Sequence, residues 1–290
     1  DTNLLFYSRR IRHAPTTTVS PADGSFVSTP DKTTILSAVK FIGTTSDGLS
    51  VGLIQSLTSN EYARISDLNG QITRTKVEPL TNYTVARVQK GYKAGNTLIG
   101  GMLTSTNRFI EDGNLEFMPG NAVTGGLDIR HHWKDKEFFL DANILGSMVT
   151  GSTESITALQ ESSARYYQRP GADYLEYDTT RTRLGGMGIK IMVGKGSKGF
   201  WRYSTGITML TPGLELNDIG YMKSADKITL KNNLSYFVNK PVSIFHTYNI
   251  DGEQFNSWNF NGTWLGSGGT LKAAAEFNNN WTFSTGLIYF

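Results

Sequence analysis

The chain has 290 residues, 38% of them hydrophobic and 18% charged, a balance too apolar for a disordered chain that still allows one large domain or two smaller ones. It contains no cysteine, so neither a disulfide framework nor a thiolate metal site is available. The net charge of +3 comes from Lys and Arg scattered along the chain rather than set in a stripe, so no nucleic-acid partner is expected.

In chain order, almost every segment alternates with period 2. Strands are predicted near 33–42, 48–58, 80–91, 96–106, 122–133, 136–149, 182–194, 199–210, 225–238, 242–250, 255–265, 270–277 and 281–290. Leu4–Arg12 is a candidate fourteenth, with 13–32 as a loop after it. In 136–149, Phe138, Leu140, Ala142, Ile144 and Met148 alternate with Glu137, Asp141, Asn143 and Ser147. In 199–210, Trp201, Tyr203, Ile207 and Met209 alternate with Arg202, Ser204, Gly206 and Thr208. In 225–238, Ile228, Leu230, Leu234, Tyr236 and Val238 share a face, with Asn232 interrupting it. Lys227, Thr229, Lys231, Asn233 and Ser235 take the other face. Only a strand sends successive side chains to opposite faces, so each segment has an oily and a wet side. About ten residues per segment exceeds the usual soluble strand and suits a tilted crossing of a bilayer.

Tight turns are predicted at 43–47, 92–95, 134–135, 195–199, 239–241 and 266–269. Longer connections fall between them at 59–79, 107–121, 150–181 and 211–224. Short and long alternate, as in an up-and-down barrel with short turns on one side and long loops on the other. The connections at 251–254 and 278–280 should lie with the long ones yet are short. No stretch of about 18 uncharged apolar residues occurs, so no membrane-crossing helix is expected, which leaves a membrane barrel untouched because its strands are only half apolar. The predicted fold class is all-β: an antiparallel up-and-down transmembrane β-barrel with about 13–14 strands in this segment. The rival is a soluble β-barrel or propeller, but no repeat of about 40–50 residues is visible.

Four strings carry a resemblance: FYSRRI (Phe6 to Ile11), VEPLTNYTVARVQ (Val77 to Gln89), SSARYYQRPGADY (Ser162 to Tyr174) and PGLELNDIGYMKSAD (Pro212 to Asp226). With them the chain resembles an uncharacterised family of large outer-membrane β-barrels of Gram-negative bacteria. Members commonly carry an N-terminal β-sandwich similar to family-nine carbohydrate-binding modules. The resemblance implies a barrel, an outer-membrane location and contact with outer-membrane lipid and lipopolysaccharide. It supplies no catalytic residue. It also implies that residues 1–290 are one barrel domain of a longer chain. The last strand agrees, because its oily residues, Trp281, Phe283, Leu287 and Tyr289, are out of register with Phe290.

Asp128, Arg130, Asp141, Lys190, Arg202, Lys227 and Lys231 fall on wet faces and are expected to face a lumen, since charge is costly toward lipid. There they would set solute preference or cross-link a filled interior. In the loop at 150–181, a short helix is predicted between Thr153 and Tyr167, stopped at Pro170-Gly171. Tyr166, Tyr167, Tyr174 and Tyr177, beside Arg165 and Arg169, are candidate glycan contacts. They could instead pack the loop onto a barrel rim. Glu215, Asn217 and Asp218 could hold calcium but lack the EF-hand spacing and read as an ordinary turn. His131 and His132 are adjacent in a strand, so their rings diverge and share no metal. GKGSKG (Gly194 to Gly199) reads as a hairpin turn rather than a phosphate loop. With no nucleophile elbow and no assignable carboxylate pair, no enzymatic activity and no cofactor are expected. Three functions remain open: a conduit for small solutes or saccharides, a plugged barrel that anchors other envelope proteins, and a membrane anchor for a hydrolase or glycan-binding module outside this segment.

Overall fold

A computed structural model describes residues 5–20 and 23–290. Among the described residues the chain is all-β apart from one helix and two short 3-10 turns. Its strands are β1 (Phe26–Ser28), β2 (Ile35–Thr44), β3 (Leu49–Thr58), β4 (Glu61–Ser66), β5 (Ile72–Glu78), β6 (Leu80–Tyr92), β7 (Thr97–Phe109) and β8 (Asn121–Trp133). They continue as β9 (Phe138–Thr150), β10 (Arg183–Lys195), β11 (Trp201–Leu210), β12 (Lys227–Val238), β13 (Phe245–Trp258), β14 (Trp264–Phe277) and β15 (Thr282–Tyr289). The helix, α1, spans Thr153–Glu161. No helix among the described residues is long and apolar enough to cross a membrane.

Twelve strands form one antiparallel sheet in the order β2-β3-β6-β7-β8-β9-β10-β11-β12-β13-β14-β15. β1, β4 and β5 form a separate three-stranded sheet. The predicted antiparallel meander is therefore present, with twelve strands rather than thirteen or fourteen. Among the described residues β2 and β15 do not pair with each other, so the sheet is open rather than closed into a barrel.

The predicted strand 242–250 and the start of the next, 255–258, are joined into β13, residues 251–254 continuing its ladder rather than breaking it, while 259–263 form the link to β14. Residues 266–269 lie inside β14 rather than in a turn. The connection at 59–79 is not a plain loop, because it holds the β4–β5 hairpin, whose turn is fixed by the Asp67 side chain accepting from the backbone of Asn69 and Gln71. The candidate strand Leu4–Arg12 is not one: Ser8–Arg10 forms a 3-10 turn, and Leu4 lies outside the described residues. Within 13–32 the structure places β1, paired with β4. Pro21 and Ala22 lie outside the description.

In an antiparallel meander, alternate connections lie at opposite ends of the sheet. One end carries β4–β5, residues 110–120, 151–182 and 211–226 (the long-connection end), and also the short link 259–263. The other carries the links at 45–48, 93–96, 134–137, 196–200, 239–244 and 278–281 (the turn end). Merging the two predicted strands into β13 moves 278–281 to the turn end, where a short link belongs.

The apolar core sits on one face of the sheet near the long-connection end. Leu210, Leu214, Leu216, Met222 and Ala225 form one buried cluster, with Leu5 and Leu145 packed against it. Ile11, Tyr83, Val85 and Ile219 form a second, and Ala122, Val149, Ile156 and Leu184 a third. Residues 211–226 fold back over β9 and β10: the Glu215 amide donates to Ser147 Oγ at 2.9 Å, and the Thr211 amide donates to the Met187 carbonyl at 2.9 Å. The segment from Leu5 to His13 lies against this loop, its Tyr7 amide donating to the Ile219 carbonyl at 2.8 Å. Each fully buried leucine here contributes about 1.5–3 kcal/mol, enough to hold these connections down as a folded cap.

Candidate functional site

Cross-strand register assigns every strand residue to one of two faces, and the faces differ sharply in chemistry. The face under the cap bears Asp128, Arg130, Asp141, Lys190, Arg202, Lys227 and Lys231 together. Successive strands bring Asp128, Asn143, Lys190, Thr208, Thr229 and Ser257 into one row across it. Several of the charges pair across strands. Arg87 makes a two-point contact with Asp128, Arg130 Nε lies 2.7 Å from Asp141, and Lys231 Nζ lies 2.7 Å from Glu253. The Arg202 guanidinium stacks over the Phe237 ring at 4.4 Å.

The opposite face carries Leu53, Val88, Leu103, Leu127, Ile144, Met187, Ile191, Tyr203, Leu234, Leu271 and Leu287, all exposed. Among the described strand residues, its only Asp, Glu, Lys or Arg side chains are Lys90, Arg183 and Lys195, each within three residues of a strand end. Phe283, Leu287 and Tyr289 lie on this face, as the alternation of the last strand predicts. At the turn end the face is ringed by aromatics: Trp133 stacks on Phe138 at 5.7 Å, and Trp201, Tyr236, Tyr248, Phe245 and Phe277 form a chain of ring contacts of 4.9–6.2 Å. Toward the long-connection end lies an amide row, where Gln55 reaches Asn82 at 3.5 Å and Asn107 donates to Asn121 at 2.9 Å.

The cap over the charged face is built around ion pairs that join residues distant in sequence. Ser152 caps α1 by accepting from the Ser155 amide at 3.0 Å, and the loop that follows delivers Arg165. Arg165 and Glu215 are 0% and 3% exposed and 2.7 Å apart. Arg169 and the Tyr174 hydroxyl both bind Asp226. Arg108 lies 2.6 Å from Asp218. Burial, then the hydrogen bond to Asp226, push the Tyr174 phenol up to about 12.

The four candidate glycan-contact tyrosines therefore have different environments. Tyr167 is buried, Tyr174 is tied into the Asp226 pair, and Tyr177 bonds Glu161 at 2.6 Å. Tyr166 and Tyr177 are the exposed members. The helix ends at Glu161 rather than running to Tyr167. Glu215 and Asp218 are taken up by arginines, and Asn217 Oδ1 accepts from the Met222 amide at 2.9 Å, so the segment forms a tied turn rather than a calcium loop. No group of three His, Cys, Asp or Glu side chains among the described residues could hold a metal. His131 is on the apolar face, stacked on Trp133 and bonded to Thr97. Gly194–Gly199 closes β10 and opens the turn into β11. Sequence reasoning missed the cap's ion pairs and the Arg87–Asp128 contact, because nothing in a linear spacing of up to 110 residues pairs such groups.

Residues 2–289 match the profile of a protein family described as Domain of unknown function (DUF5916), and the chain belongs to that family. No match to the chain was found among curated proteins or solved structures.

Proposed function

We propose that this DUF5916 member forms the wall of a β-barrel in the bacterial outer membrane, and that its charged face is a passage for small solutes gated by the folded cap. One observation carries the reading: across twelve strands, the uncapped face is exposed, free of charge away from the strand ends and largely apolar, its mid-strand polar group of Thr205, Asn232 and Gln254 being hydrogen-bonded within itself. Exposed apolar patches on water-soluble monomers rarely exceed a few hundred Å², and a patch running the width of twelve strands is suited to lipid. The aromatic girdle at the turn end and the amide row at the other mark the two polar boundaries such a wall needs. The reading requires β2 and β15 to find strand partners in the membrane, because lipid offers their outer N–H and C=O groups no hydrogen bonds. Outer-membrane lipid and lipopolysaccharide would then be the neighbours of the apolar face, with the long connections outside the cell.

A second reading, a plugged barrel that anchors other envelope proteins, is favoured by the fully buried Arg165–Glu215 pair, a feature of a fixed plug. Planar-bilayer recording of the full-length protein separates them. Stepwise conductance whose ion selectivity shifts on Lys231→Glu supports the passage. Insertion without conductance supports the plug.

A further inference from the structure

Between the cap and the charged face lies a cavity of about 710 Å³, a size suited to a small organic ligand. Leu5, Phe6, Leu145 and Leu210 give it an apolar wall. Asn143, Thr208 and Thr229 add neutral donors from the polar row. Four cationic side chains complete it: Arg87, Lys190, Lys223 and Lys227. Asp128 is the one acidic lining residue, and Arg87 already holds both its oxygens. Lys190 lies in the field of Asp141, which leaves Lys223 and Lys227 as the ammonium groups that face no carboxylate of the cavity wall. Lys223 comes from the cap and Lys227 from the first residue of β12, so the cavity draws cations from both the plug and the sheet. Among the described residues, neither Lys223 nor Lys227 has an ion-pair partner.

Clustered ammonium groups repel one another, and a shared anion relieves that repulsion with charge-assisted hydrogen bonds. We infer that this cavity binds a small organic oxyanion, a carboxylate or phosphate ester, whose uncharged body packs on Leu5 and Phe6. The inference rests on the reading of the charged face as a solute passage and names the class of solute. It gives the cap a role as well: an anion bridging Lys223 and Lys227 ties the plug to the wall, and its release frees the plug.

The test is calorimetric titration of the full-length protein in detergent with glucose 6-phosphate, glucuronate and glucose. Saturable binding of at least one anionic sugar is expected, with glucose at least tenfold weaker. Added salt should weaken it, since the attraction is partly screened. The double variant Lys223→Gln/Lys227→Gln should lose about tenfold or more in affinity for the anionic sugar. Lys272→Gln, on the same face but outside the cavity, should bind as the parent does. Equal affinity for glucose and the anionic sugars, no saturable binding of either anion, or an unchanged double variant would overturn the inference. A protein that conducts in bilayers yet binds neither anion refutes this inference alone. One that binds an anion but never conducts refutes the passage alone.

Discussion

Arg87 of β6 and Asp128 of β8 meet over Gly100 of β7, the strand between them, with Nη2 and Oδ2 at 2.9 Å. The pair spans three strands on the charged face, and only a residue without a side chain leaves room for it. A Cβ on Gly100 would sit 2.5 Å from Arg87 Nη2 and 2.9 Å from Asp128 Oδ1. Gly100→Val should therefore separate the pair. Both partners are about one-third exposed or less, so losing it should cost about 1 kcal/mol, plus any strain from the new side chain. Denaturant unfolding in detergent reads this, and Asp128→Asn in the Gly100→Val background should then add little further loss.

The Arg165–Glu215 pair holds the cap. Glu215→Gln leaves a buried guanidinium without its counter-charge, a change that typically costs about 3–5 kcal/mol. Much of that loss should fall on the cap rather than the sheet. Hydrogen exchange should rise in 151–182 and 211–226 while β7 to β10 stay protected. Uniform loss of protection would mean that cap and sheet unfold as one unit.

Tyr174 should give the cap a limit at high pH. Its folded value is raised to about 12 from an ordinary 10.0, so between those values the folded state holds a proton that the unfolded state has released. Its stabilising contribution is therefore whole below about pH 10 and lost as pH rises toward 12. Tyrosinate absorbance should show late-titrating phenols, one fewer in Tyr174→Phe than in the parent, and proteolysis of 151–182 should rise over the same interval.

Leu127 is 65% exposed at the middle of β8. In water, arginine at such a site changes stability by about 0.5 kcal/mol at most. Near the middle of a bilayer, the same change costs about 2–4 kcal/mol. Leu127→Arg should accordingly lower insertion into liposomes sharply, read as loss of the folded, heat-modifiable gel band.

Much of the fold is legible because period-2 alternation survives even where the local composition reads as a turn. At two places along the twelve-stranded meander, composition hides the alternation for physical reasons. Asp251-Gly252-Glu253 has turn composition, yet Asp251 and Glu253 both point to the charged face, so β13 runs through them unbroken. Gly268 and Gly269 read as a loop, but they lie under the rings of Phe255 and Tyr289, where a Cβ would come within 2.8 Å and 2.6 Å of ring carbons. Glycine there makes room for aromatics of neighbouring strands rather than for a bend. The seven wet-face charges were legible for the same reason as the strands. The cap was not, because Arg108–Asp218 and Arg165–Glu215 join chain segments that come together only once the loops fold back onto the sheet.

The two faces of this sheet are expected to meet different solvents. The chain has no cysteine, so single spin labels can be placed at will. Leu127 and Ile144 are cross-strand neighbours on the apolar face, and Asn143 lies one residue from Ile144 on the charged face. Paramagnetic accessibility of labels at these three positions, in the liposome-reconstituted full-length protein, is the direct measurement. Labels at Leu127 and Ile144 should collide with lipid-dissolved oxygen and be shielded from an aqueous nickel chelate, whereas the label at Asn143 should be shielded from the lipid phase. Labels at Leu127 and Ile144 that meet the nickel chelate as freely as a loop label at Ser46 would contradict the membrane wall.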